Sequence, residues 1–211
     1  MNFKPGDFFV GLVDFFAILL PGALLAFLTK DFAGKHIFGV LLSPIRTQVE
    51  GWVAFIFAAY LLGQFVSLIG ATFMDWIYDH TYLKYKRRNG DSRFAKAKEL
   101  EGAYGNLAGI LKWAGAYVRL HSSDAALEID RFEATSKFFR SLVVVLLVYG
   151  VAFTASREWL ALGATGVLVA LSFWRFCNQR WKFTEFSYLY FIQLNIYSER
   201  LGERSKAQAA T

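Results

Sequence analysis

Residues 8–28, FFVGLVDFFAILLPGALLAFL, form a run of twenty-one residues in which Asp14 is the one ionisable side chain. A helix packed on a water-soluble core would show a polar face at 3.6-residue spacing, and this stretch has none. At about 1.5 Å per residue it covers roughly 30 Å, the thickness of a hydrocarbon core. It reads as a membrane span with two irregularities. Pro21 offers no N–H to the carbonyl of Ala17, which predicts a kink near mid-membrane. Gly22 beside it admits a neighbouring backbone. The kink is either a packing feature or a hinge or constriction lining a pathway. Asp14 lies about 9 Å into the run. There it either lines a pore or vestibule, or sits near the boundary, accepting from Lys4 or capping a helix start. An intramembrane acid costs a few kcal/mol unless paired or wet, which marks the position for function.

Composition agrees with a membrane reading. Of 211 residues, 55% are hydrophobic, 18% aromatic and only 19% charged, and mean hydropathy is +0.34. Those values fit a polytopic membrane protein with a substantial water-facing part. The single cysteine, Cys177, excludes an intramolecular disulfide and a cysteine-rich metal site. The start, MNFKPGDFF, has no strong basic region, and no A-x-A-like site follows the first apolar run, so this helix is expected to stay rather than be cleaved.

Working outward, three further apolar stretches follow at 51–74, 141–155 and 159–174, with Trp52, Trp76, Trp159 and Trp174 at span ends where amphipathic rings prefer the headgroup layer. The expected fold is all-α, a polytopic protein with four transmembrane helices and a cytoplasmic helical domain. Its segments are a first hairpin over 1–74 (spans about 8–28 and 51–74), a basic loop over 75–140, a second hairpin over 141–174, and a helical tail over 175–211. Arg157-Glu158 supplies the tight turn of the second hairpin. Nineteen Lys and Arg fall in the N-terminus, the 75–140 loop and the tail, against four in the other two connections. The positive-inside rule places both termini and that loop in the cytoplasm. The localisation expected is a bacterial inner membrane.

The loop opens with YLKYKRRNGDSRFAKAK (82–98), seven Lys/Arg against one Asp, interrupted by Asn89-Gly90-Asp91 as a turn. The small-residue-rich segment from Glu99 to Leu120 suits close helix packing. HSSDAALEIDRFEATSKFFRSL (121–142) then starts a helix, with Ser122 or Ser123 as N-cap and Asp124 in the first turn, running without a breaker into the third span. After the fourth span no Pro or Gly occurs before Gly202, so that helix is expected to continue as a long aromatic rod, with SKAQAAT a frayed end.

Candidate site residues fall in two groups. Asp14, Pro21 and Gly22 with Gln64 and Ser67 of the second span are the pore or gate candidates, Gln64, Ser67 and Thr72 lying near one helical face. Interhelical hydrogen bonding is the other reading of that face. Lys84, Lys86, Arg87, Arg88 and Arg93, with Arg131, Lys137 and Arg140 as a second basic stripe, are the ligand-binding candidates. Juxtamembrane cations attract anionic lipid and report topology. In a symmetric oligomer the same patch repeats about an axis and suits a phosphate-bearing ligand through bidentate Arg donors. Asp75, Asp79 and His80 share the end of the second span and read as interfacial anchors, too few ligands for a zinc site. No Ser/His/Asp set, phosphate loop or HExxH motif occurs, so no enzyme, metal or cofactor is expected. Nothing points to binding of a nucleic-acid duplex.

The acid-and-Arg helix entering a span, IDRFEATSKFFRSLVVVLL (129–147), with LLPG in the first span, resembles the small four-span membrane effectors of bacterial anti-phage defence systems. The resemblance covers about a fifth of the chain. It implies a self-assembling channel or membrane disruptor controlled by a nucleotide signal from a partner enzyme. The expectation is thus an oligomeric inner-membrane ion channel, tetrameric, gated by a cytoplasmic anionic ligand. The competing expectation is a non-conducting anchor or sensor that recruits a cytoplasmic partner through 75–140.

Overall fold

The computed structural model of the protein describes residues 5–33, 48–88, 95–97, 99 and 109–209, and among these no strand occurs. The helices are α1 (Pro5–Ala33), α2 (Gln48–Tyr78), α3 (Lys84–Arg88), α4 (Ile110–His121), α5 (Ser123–Ser156) and α6 (Trp159–Ala209). A π-helical turn, Asp79–Leu83, joins α2 to α3 without a break. The span that begins at residue 51 therefore runs past residue 74 as continuous helix. Among the described residues, three stretches are long and apolar enough to cross a membrane: Val49–Lys86, Ser123–Ser156 and Trp159–Tyr197. In α1 the described apolar stretch, Phe15–Thr29, is shorter. Only 22%, 28% and 22% of the most apolar windows of the three long helices are buried, so most of their hydrophobic surface faces outward.

Local chemistry explains the helix ends. Ser122 closes α4 by donating its N–H to Val118 (2.8 Å), then opens α5 as its Oγ accepts from the Ala125 N–H (3.4 Å). The SKFFRSL segment continues α5 directly into the apolar run, as its lack of a breaker predicts. The α5–α6 turn is a Schellman closure. The Glu158 N–H reaches the Phe153 carbonyl at 3.1 Å, the Arg157 N–H reaches Thr154 at 3.2 Å, and Arg157 takes φ 58°. That left-handed position normally belongs to glycine. α6 stays helical through Ala209, past Gly202, where the sequence suggests fraying.

The chain divides into two compact units, Met1–His80 with Ala134–Asn178, and Thr81–Glu133 with Gln179–Thr211. The first is built on small residues. A β-carbon on Gly22 would overlap the backbone of Ala59 and Gly63, and one on Gly63 would overlap the Ile18 carbonyl. α1 and α2 therefore touch backbone to backbone, the close approach that small residues allow between apolar helices. Tyr149 of α5 donates its hydroxyl to the Leu24 carbonyl of α1 (2.9 Å).

The second unit has an ordinary core. Ala97, Ala114, Val118, Ile129, Tyr188 and Phe191 are buried together, with Tyr117 edge-on to Phe191. The apolar face of α4 supplies Ala114 and Val118 at i, i+4, the spacing of an amphipathic helix. Arg119 ties α4 to α5 through Asp130 (2.6 Å) and Glu133 (3.5 Å). With Arg119 about half exposed, the pair contributes less than about 1 kcal/mol.

Candidate functional site

The polar centre of the first unit is a pair the sequence does not announce. Arg140, near the middle of α5, is 8% exposed and donates Nη1 to Asp75 Oδ2 at 2.9 Å. Its aliphatic stem lies over Gly70 of α2, where a β-carbon would stand 3.1 Å from Cγ. Gly70, Asp75 and Arg140 thus form one arrangement in which a missing side chain makes room for a guanidinium. A buried pair is weak evidence for net stability, but removing one partner leaves an uncompensated charge. The only sequence signal is that an Asp ends one apolar run and an Arg begins another, both beside the connection rich in Lys and Arg. Chain separation of 65 residues hid the pairing. His80, one turn beyond Trp76, donates Nδ1–H to the Trp76 carbonyl (2.9 Å) and lies over its indole, while Asp79 is exposed.

In the second unit, cations rest on aromatic faces. Lys86 Nζ lies 5.6 Å from the Trp181 ring, Arg180 lies 5.5 Å from Phe183, and Lys182 Nζ lies 5.8 Å from Phe132. Such packing holds long side chains in defined positions at about 0.5–1 kcal/mol each when exposed. Lys84 and Arg131 are exposed. Lys137 belongs to the first unit and is half-buried and engaged by its neighbours. The basic candidates therefore separate. Arg140 is committed to Asp75, whereas Lys84, Lys86 and Arg131 lie in the second unit.

That unit also contains a cleft of about 520 Å³ lined by Ser122, Asp124, Glu128, Tyr190, Gln193 and Tyr197. Tyr190 donates its hydroxyl to Glu128 Oε2. The cleft is acidic and aromatic, chemistry suited to a cation rather than a phosphate. The sequence marks Asp124 only as a helix-start residue and does not single out Tyr190 or Tyr197, since their convergence needs α5 and α6 side by side.

Of the pore or gate candidates, Pro21 is fully buried and Gly22 is buried against α2, Ser67 is half-buried and Gln64 is exposed. Asp14 lies within α1 and Arg87 and Arg88 within α3, but their side chains are outside the described residues, as is all of Arg93 with the Asn89-Gly90-Asp91 turn. Among the described residues no group of three His, Cys, Asp or Glu could hold a metal ion. In comparisons with known proteins, no family model, no curated protein and no solved structure matches this chain.

Proposed function

We propose that this chain is a homo-oligomeric protein of a bacterial inner membrane, an ion channel or membrane-disrupting effector gated by an anionic, nucleotide-type ligand in the cytoplasm. In this reading α1 is a fourth span, both termini and the 75–140 region face the cytoplasm, the assembly is a tetramer, and the setting is anti-phage defence with a partner enzyme making the signal. One observation carries it. α5 and α6 are unbroken helices, each contributing one part to the apolar unit and another to the unit that holds Lys84, Lys86 and Arg131. In this reading, a ligand held in that unit biases a two-state assembly by its differential affinity for the two states. Cations seated on Trp181, Phe183 and Phe132 support an anion-reading surface in the same unit.

The test is conductance. Purified protein in planar bilayers should conduct when a panel of linear and cyclic nucleotides is added, and expression in cells should depolarise them. Replacing Lys86, Arg87 and Arg88 together by Ala should lower ligand affinity tenfold or more, since each charge-assisted bond contributes about 1.5–3 kcal/mol. Silent bilayers under every ligand would end the channel reading. Orientation is checked separately. Cysteines at Ser43 should label from outside the cell, and cysteines at Ser92 only after permeabilisation.

The acidic cleft favours a second reading, a non-conducting anchor or sensor that recruits a partner protein through a basic segment. Under it, bilayers stay silent, and Asp124→Lys with Glu128→Lys abolishes capture of the partner while leaving membrane insertion unchanged.

A further inference from the structure

Along α2 the buried residues Ala59, Gly63, Val66, Gly70, Met74 and Tyr78 follow each other at three- and four-residue steps and form one stripe. At 100° per residue, a second stripe lies on roughly the opposite face: Val53, Phe57, Leu61, Gln64 and Leu68. These are exposed, Val53 at 63%, Phe57 at 64% and Leu68 at 66%. Gln64 is the polar member of that stripe. It is about 20 Å from Gly51 and about 15 Å from Met74 along the helix, close to the middle of the apolar run.

The amide of Gln64 differs from the threonine hydroxyls of the apolar helices. The hydroxyls of Thr72, Thr154 and Thr165 each donate to the carbonyl four residues back, so their own helices satisfy them. Gln64 makes no hydrogen bond to any described residue. Its two N–H donors and its carbonyl oxygen would face hydrocarbon, where lipid tails offer no partner. A primary amide is self-complementary: the donor of one copy meets the acceptor of another across a symmetry axis.

We infer that the Val53–Phe57–Leu61–Gln64–Leu68 face of α2 is the contact with a second copy of this chain, with Gln64 amides bonded to each other within it. Symmetric association repeats the same patch on every copy, so a single residue type supplies both halves of the bond. The inference rests on the reading that α2 crosses a membrane in a homo-oligomer, and it names the surface that holds that oligomer together.

The experiment uses the full chain in native membranes with Cys177→Ser as background. Reporter cysteines are placed at Leu61 and Leu68 on the face, and at Ile69 and Phe73 as exposed positions off it. Oxidation should cross-link the first two into dimers and leave the second two monomeric. Gln64→Leu should weaken association three- to thirty-fold, the range of an interhelical polar contact, and Gln64→Asn should restore part of it. Equal cross-linking at all four positions, or Gln64→Leu cross-linking as well as the unmutated chain, would overturn this surface while leaving a homo-oligomer standing. A strictly monomeric chain would overturn both. Face-specific cross-linking in a protein that never conducts would keep the surface and reject the channel.

Discussion

The two units use the same element, the α-helix, for opposite tasks. In the apolar unit, contacts are made through what is absent. Gly22 and Gly63 bring two backbones together and Gly70 yields space to Arg140, while Phe57, Phe65, Phe73 and Leu160 point outward. In the other unit Ile129, Tyr188 and Phe191 form a buried centre, and Lys84, Arg131 and Asp124 remain exposed. On the proposed membrane reading, the difference follows from the surroundings of each unit. Where the medium is itself apolar, burying a Phe gains little, and close van der Waals fit with satisfied polar groups decides the packing. Where the medium is water, the area removed from it decides.

The strongest way to break the comparison is at the two centres. Phe191→Ala should cost about 3–5 kcal/mol in the second unit. Limited proteolysis should then cut within residues 110–133 and 179–197, with membrane insertion unaffected. Arg140→Ala should cost a comparable ~3–5 kcal/mol in the first unit, because Asp75 loses its partner. Combining Asp75→Leu with Arg140→Met should recover most of that loss in thermal unfolding in detergent. A double variant as unstable as Arg140→Ala would mean that the pair contributes more than mutual neutralisation.

Glycine gives the next test. Gly22→Ala should destabilise the α1–α2 contact by at least the ~1–3 kcal/mol of an overpacked core, since its β-carbon meets backbone that cannot step aside. Gly166→Ala, where nothing lies within 4 Å, should be neutral or slightly stabilising. Equal effects of the two, measured by detergent-resistance melting, would show that small residues here serve the backbone rather than the contact. The smallest effect is expected at the hairpin turn. Arg157→Gly relieves a left-handed residue and should raise stability by up to about 1 kcal/mol, visible as a rise of a few degrees in melting temperature.

Much of the helix layout was legible in the sequence, and the reason is local. The N-cap at Ser122, the unbroken passage from Lys137 into the apolar run, the Arg157-Glu158 turn and the long aromatic α6 all depend on neighbours within a few residues. So does the division into apolar and charged stretches. The site was less legible. Arg140 reads from sequence as a ligand-binding cation and is buried beside Asp75, and Pro21 and Gly22 read as a hinge or a packing feature and lie against α2.

The sequence by itself therefore determined that the described segments are helical, where most of their turns fall, and three of the four expected apolar spans, because propensity, capping and hydropathy act over short range. Only the tertiary structure decided which polar groups neutralise each other, which glycines are contacts and which are open, and that Asp124, Glu128, Tyr190 and Tyr197 share one cleft. Those outcomes depend on which helix lies against which, and on a rotation about each axis that sequence periodicity leaves undetermined when nearly every face of a helix is apolar.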